Sequence, residues 1–190
     1  HKPPEELPQA VSVLNPKLKD CKYPAKEIVG VGVIFNLVIA LRRALRDEGF
    51  FKNGEPNLGD YLDLVALGTV ADCAPLLDVN RILVKEGVKR MQTPKRLGLQ
   101  ALKEASSIKG EVTSYDLGFK FGPRINASGR MSTADNAVKL FISNDLEDAR
   151  EIAKGLNKQN TNRQGTEAGI IKEAISELES NPEIIGSNSI

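Results

Sequence analysis

The sequence predicts a predominantly helical chain with one or a few short strands and a long C-terminal helix. Three observations carry that prediction. Apolar residues recur at helical spacing from about Lys26 to Asp47, through Ile28, Val31, Ile34, Phe35, Val38, Leu41 and Leu45. The run Tyr61–Ala71 is apolar nearly all round, so it is buried; its length and Leu/Ala content favour a helix to about Gly68. Leu146 to about Glu179 reads as one long helix, with Asp145 as N-cap and Glu147 and Asp148 in the first turn.

The other elements follow in order. Residues 1–8 form a proline-held loop, and Ala10–Leu14 alternates well enough for a short strand ending at the Asn15-Pro16 turn signal. Gly49–Asn57 is a loop. Arg81–Met91 is an amphipathic helix and Leu97–Ala105 a shorter one. Ser114, as N-cap, starts a segment to Phe121, and Thr133–Ile142 is helical after a Gly-Arg break. Asn157–Gln164 (NKQNTNRQ) is polar on nearly every face, the pattern of a helix that bridges between domains.

With 190 residues, 41% hydrophobic and 27% charged, the chain has the composition of a soluble globular protein with one real core. Its longest apolar run, Ile28–Leu41, is broken by Gly30, Gly32 and Asn36, so no membrane span is expected. The polar start HKPPEELP lacks the apolar core of a signal peptide. Two cysteines, Cys21 and Cys73, without metal-ligand spacing point to a reducing compartment, the cytoplasm. A net charge of +1 confines any nucleic-acid binding to a local basic patch. The start without Met and the short polar tail SNPEIIGSNSI predict a piece of a larger protein.

Leu117–Met131 (LGFKFGPRINASGRM) is the most informative stretch. Arg124 and Arg130 flank Asn126 and Ser128 among breaks at Gly122, Pro123 and Gly129. Forked cations, short polar side chains and exposed backbone N–H groups suit phosphate. A plain surface turn whose arginines pair with acids fits equally well. Asp72, delivered by an apolar element into a tight turn ahead of Pro75, suits a metal ligand or base, and also an N-cap for the next segment. Gly30 and Gly32 suit anion approach or close helix packing. The basic run Lys85–Arg96 reads as a solvated face. From the residues alone, His1 is a flexible or tag-derived terminus.

Taken in order, HKPPEELPQAVSVLNPK, YPAKEIVGVGVIFNLV, YLDLVALGTVADCAPL, NRILVKEGVKRM, LGFKFGPRINASGRM and LNKQNTNRQ closely resemble the RecJ single-stranded-DNA-specific exonucleases of the DHH phosphoesterase superfamily. The resemblance covers essentially the whole chain. It implies the C-terminal portion of an α/β DHH phosphoesterase domain. Residues 1–144 would be catalytic domain, 145–180 an interdomain connector helix, and 181–190 the start of a linker to a further domain. It implies a two-metal site of Mn²⁺ or Mg²⁺, in which Asp72 matches an aspartate ligand. His1 matches the last His of an Asp-His-His triplet and would touch substrate or metal. Arg124, Asn126, Ser128 and Arg130 would hold phosphates of the strand.

The implied activity is 5′-to-3′ hydrolysis of single-stranded DNA in repair and recombination. The implied agent is a cytoplasmic monomer with single-strand-binding protein and a helicase as partners. The family's first aspartate motifs and the start of the triplet are absent from this sequence, so the chain alone is expected to be inactive. Two other readings stay open: another DHH phosphoesterase acting on oligonucleotides or pyrophosphate, and a non-catalytic nucleic-acid-binding relative.

Overall fold

The structure, a computed structural model, describes residues 2–131 and 135–181, without the side chains of 128–131. The described helices are α1 (Gly30–Asp47), α2 (Leu62–Ala71), α3 (Asp78–Gln92), α4 (Leu97–Ala105), α5 (Ser114–Asp116), α6 (Gly122–Met131), α7 (Asp135–Ile142) and α8 (Leu146–Ser180). A 3₁₀ turn, Leu58–Tyr61, leads into α2, and a π turn, Leu117–Phe121, joins α5 to α6.

The apolar run becomes the central helix. Asn57 opens the 3₁₀ turn by accepting from the Gly59 amide at 3.1 Å. α2 then buries Asp63, Val65, Ala66, Leu67 and Thr69, which lie on several of its sides. It packs most extensively on α3, and also touches α1, the π turn and α6. α3 answers with Asn80, Val84, Gly87 and Met91, one stripe at spacings of four, three and four. At Gly87 the two backbones come so close that a methyl would overlap the Leu62 carbonyl and the Ala66 side chain.

The buried Asp63 carboxylate is met by Arg96 at 3.3 Å, whose guanidinium also donates to the Phe141 carbonyl at 3.1 Å. That cation joins α2, α4 and the end of α7. The neighbouring Lys89, Arg90 and Lys95 pair with Glu86 and Asp60, so these cations of the basic run are engaged in ion pairs.

α8 packs on α4, α6 and α7 through Ala149, Ala153, Leu156 and Asn160, again at spacings of four, three and four. Beyond Asn160 the helix leaves the core, and Ile170, Ile171 and Ile175 are exposed. The polar stretch Asn157–Gln164 is therefore not a solvated bridge throughout, because Asn160 is 3% exposed. No helix among the described residues is long and apolar enough to cross a membrane.

Four expectations are corrected. Ala10–Leu14 is not a strand: it meets no partner to ladder with among the described residues, and Val11 is fully exposed. The first long helix starts at Gly30, because turn hydrogen bonds from Lys26 to Pro24 and from Ile28 to Ala25 hold the chain non-helical before it. Thr113, not Ser114, is the N-cap; it forms a capping box with Asp116. The GPRINASGR part of the stretch, read as a break or turn, is helical. The π turn ends at Gly122, and Pro123 occupies the opening turn of α6, where a missing N–H is tolerated.

Gly87→Ala is expected to destabilise the chain by about 1–3 kcal/mol in urea unfolding, the range for overpacking. Gly165→Ala on α8, with open space around it, should instead stabilise by about 0.5–1 kcal/mol.

Candidate nucleic-acid and metal site

The site forms where α2 ends. Asp72 is the C-cap of α2, its amide donating to the Gly68 carbonyl at 3.1 Å. It caps no following helix, since α3 begins after Leu77, so the N-cap alternative falls away. The Asp72 side chain is exposed and has neither hydrogen bond nor ion pair among the described residues. A helix C-terminus carries partial negative charge, so a bare carboxylate there is unfavourable until a cation joins it.

Three clefts meet around this end of α2. The largest, about 710 Å³, lies between Asn15–Lys17, the start of α1 and Asp72–Pro75. The second, about 490 Å³, runs from Gly30 past Gly68 and Asp72 to Asn126. The third, about 200 Å³, lies between Ala71, Gly118, Gly122, Asn126 and Arg163. Asp72 borders the first two, and Asn126 borders the last two. Adjoining clefts around the end of α2 thus have Asp72 and Asn126 as shared walls.

Local chemistry fixes the walls. Asn80 Nδ2 donates to the carbonyls of Glu27 and Pro75 at 3.0 Å each, tying both sides of the largest cleft to α3. Gly30 opens α1 without a side-chain cap and borders two clefts, so unpaired N–H groups of the first turn stand beside them. A Cβ on Gly32 would instead strike Ile28. Close packing therefore accounts for Gly32, while Gly30 has open space around it.

Arg124 is half-buried. Its Nε donates to Asn157 Oδ1 at 3.0 Å and its Nη1 to the Lys120 carbonyl at 2.8 Å. Burial pushes its pKa below the usual arginine value, and no carboxylate offsets that. The remaining N–H groups belong to a half-buried cation with no carboxylate partner among the described residues. Lys120 pairs with Asp116 at 2.8 Å. Burial alone would raise the Asp116 pKa, but hydrogen bonds from Lys120 and Thr113 outweigh it and hold that carboxyl below the ordinary aspartate value.

Asp72 and Asn126 therefore share a cleft, and Arg124 stands two residues from Asn126 on α6. Backbone N–H groups of Leu117–Met131 are spent inside helices, so the expected amide cradle is absent over this stretch. Ser128 and Arg130 fall on α6, but their side chains lie outside the described residues, as does His1. Sequence reasoning missed Asn157 and Arg163. The signal was the spacing Ala149, Ala153, Leu156, Asn160, Arg163, which carries the core-facing stripe of α8 into polar residues. Among the described residues, no three His, Cys, Asp or Glu side chains converge on one point.

No family model matches the chain. Individual relatives do. It is 46% identical over 180 residues to the single-stranded-DNA-specific exonuclease RecJ of Dickeya dadantii, covering 92% of this chain and 31% of that protein. The chain is a RecJ homologue. A solved exonuclease RecJ bound to manganese superposes with a TM-score of 0.79 at 33% identity, over 93% of this chain and 43% of that one. RecJ from Thermus thermophilus in complex with Mg²⁺ gives 0.69 at 35% identity, over 82% and 23%. The homology thus spans about a third of the curated relative's length, and the helical architecture described above is RecJ architecture.

Asp116→Asn is expected to cost about 1–3 kcal/mol at neutral pH. A carboxyl held below its unfolded value stabilises above that value, so the deficit should fade as the pH falls below the ordinary aspartate range and through the lowered folded-state pKa. Urea unfolding across that range reads the effect.

Proposed function

We propose that this chain forms part of a divalent-metal-dependent exonuclease that hydrolyses phosphodiester bonds of single-stranded DNA, working from the 5′ end. The observation that carries the reading is the bare Asp72 carboxylate at the carbonyl end of α2, in a cleft shared with Asn126. The RecJ relatives supply the activity class, and the manganese- and magnesium-bound RecJ structures supply the metal.

The residues suit such an ion. A hard, unpaired carboxylate oxygen at a negative helix end is a fitting ligand for Mn²⁺ or Mg²⁺. Glu27 borders the same cleft as Asp72 but is engaged by Lys17 at 2.9 Å. Asp72 is thus a partial ligand set, with His1 as a further candidate. The metal pair, when bound, activates water and offsets charge on the phosphate under attack. The chain's own part is to hold that ion at Asp72 and the strand alongside it. Arg124 would reach the strand with the N–H groups left over from its bonds to Asn157 and Lys120, Asn126 offers an amide at the cleft, and Ser128 and Arg130 would extend the contact. Phosphate contacts of this kind position a strand without reading its bases.

Within the same reading, residues 1–144 belong to the catalytic domain, and 145–180 form a connector helix whose outer half stands free of the core. Residues 181–190 begin a linker. Work in DNA repair and recombination in the cytoplasm, as a monomer beside single-strand-binding protein and a helicase, follows from the resemblance.

The purified 190-residue chain is expected to show no Mn²⁺-dependent cleavage of single strands; robust cleavage would overturn the partial ligand set. In a full-length RecJ carrying this chain in place of its own matching segment, Asp72→Ala should abolish cleavage and leave strand binding largely in place. Preference for dinucleotides over long strands in that chimera would move the activity to another phosphoesterase class. Arg124→Ala should weaken strand binding and lower the slope of log K against log salt by about 0.7 for each phosphate the guanidinium had neutralised.

A further inference from the structure

Tyr115, Phe119 and Pro123 follow one another at steps of four residues along α5, the π turn and the start of α6. The residues between them take the other sides. Leu117 and Phe121 are buried in the core. Gly118 and Gly122 face α2, where an added Cβ would lie 3.4 Å from Val70 and 3.2 Å from Ala71. The two rings are left outside, Tyr115 being 62% and Phe119 67% exposed. They still order each other, stacked with centroids 4.6 Å apart and planes 26° from parallel. Pro123, the last of the row, borders the 200 Å³ cleft that also has Asn126 in its wall. The acid within this turn, Asp116, is buried and taken up by Lys120 and Thr113, so it shows no bare charge beside the rings. Lys120, the residue after Phe119, supplies the carbonyl that anchors Arg124 Nη1 at 2.8 Å.

We propose that the Tyr115–Phe119 stack is a base-stacking platform for single-stranded DNA, taking an unpaired base against the exposed Phe119 ring where the strand passes Pro123. The proposal rests on the single-strand reading above, which supplies ligands for metal and phosphate, and adds a contact to the bases. Every unpaired base has a flat π face, so an aromatic platform holds single strands whatever their sequence. A duplex keeps those faces inside its own stack. A base laid on the ring also covers apolar surface that water now meets. Because the two rings are stacked already, little side-chain freedom remains to be lost on binding. An aliphatic row would serve a protein partner as well; a flat, pre-stacked pair suits a flat ligand. Continuity with the cleft at Pro123, and a guanidinium anchored one residue from Phe119, place base and phosphate contacts on one short segment.

The test uses the absence of tryptophan from the chain. Phe119→Trp puts a single indole in the row, and titrating the full 190-residue variant with a thymidine dodecamer should quench its fluorescence. A dodecamer of abasic deoxyribose phosphates should bind without quenching. In anisotropy titrations of a labelled thymidine strand, Phe119→Ala and Phe119→Leu should each weaken binding about fivefold or more with the salt slope unchanged, since no phosphate contact is lost. Tyr115→Phe should bind like the parent chain, and the abasic strand should bind the parent chain and Phe119→Ala alike. Parent-like affinity in Phe119→Ala, or an indole left unquenched by a strand that binds, would overturn the platform and leave the functional reading standing. An indole shielded and unquenched in the full-length RecJ chimera while the strand is cleaved would do the same, because the rest of the protein then covers the row. A parent chain that binds no strand would overturn both.

Discussion

Burial of α2 on several sides is the constraint on which the rest of the structure depends. A ten-residue helix with almost no polar face has to be enclosed, and each large side chain it hides contributes about 1.5–3 kcal/mol. α3 encloses it at the closest range through Gly87, and α1, the π turn and α6 complete the cover. Because the body of α2 is held so firmly, its last residue is placed with little freedom. Asp72 is therefore presented by the core, although its side chain stands in solvent.

The electrostatics of the site follow from the same placement. An acid at a helix C-terminus and a half-buried guanidinium without a carboxylate are both unfavourable in isolation. Elsewhere this chain neutralises its charges readily, as Asp63 with Arg96, Asp116 with Lys120, and Glu104 with Arg150 demonstrate. Asp72 at the end of α2 and Arg124 on the α8 side of α6 are without an opposite charge among the described residues. One favours a cation and the other an anion.

Much of this was legible in the residues. The 3.6-residue period marked α1, α3, α4 and α8, and the uniform apolarity of Tyr61–Ala71 marked the central helix. The order of the motifs, with GTVAD ahead of GPRINASGR, marked the family. The conformation of GPRINASGR was not legible: two glycines and a proline in nine residues signal a break, and local propensity alone favours a turn. Packing overrides it, because Gly122 fits against Ala71 and the π turn absorbs the proline. The Asn157–Gln164 stretch misled for a related reason. Its composition says solvent, but its first half continues the inward stripe of α8, and Asn157 there serves Arg124.

By itself the sequence determined the helical class, the elements that must be buried, and the pairing of one acidic and one arginine-bearing motif with RecJ. Those properties follow from short-range periodicity and from the identities of residues close together in the chain. Only the tertiary structure decided that Asp72 ends a helix and caps none. It alone brought Asn126, Gly30 and Arg163, from three distant segments, to the edges of adjoining clefts. Such convergence depends on how closely helices approach, set by glycines such as Gly87 and Gly122, and no local pattern encodes that distance.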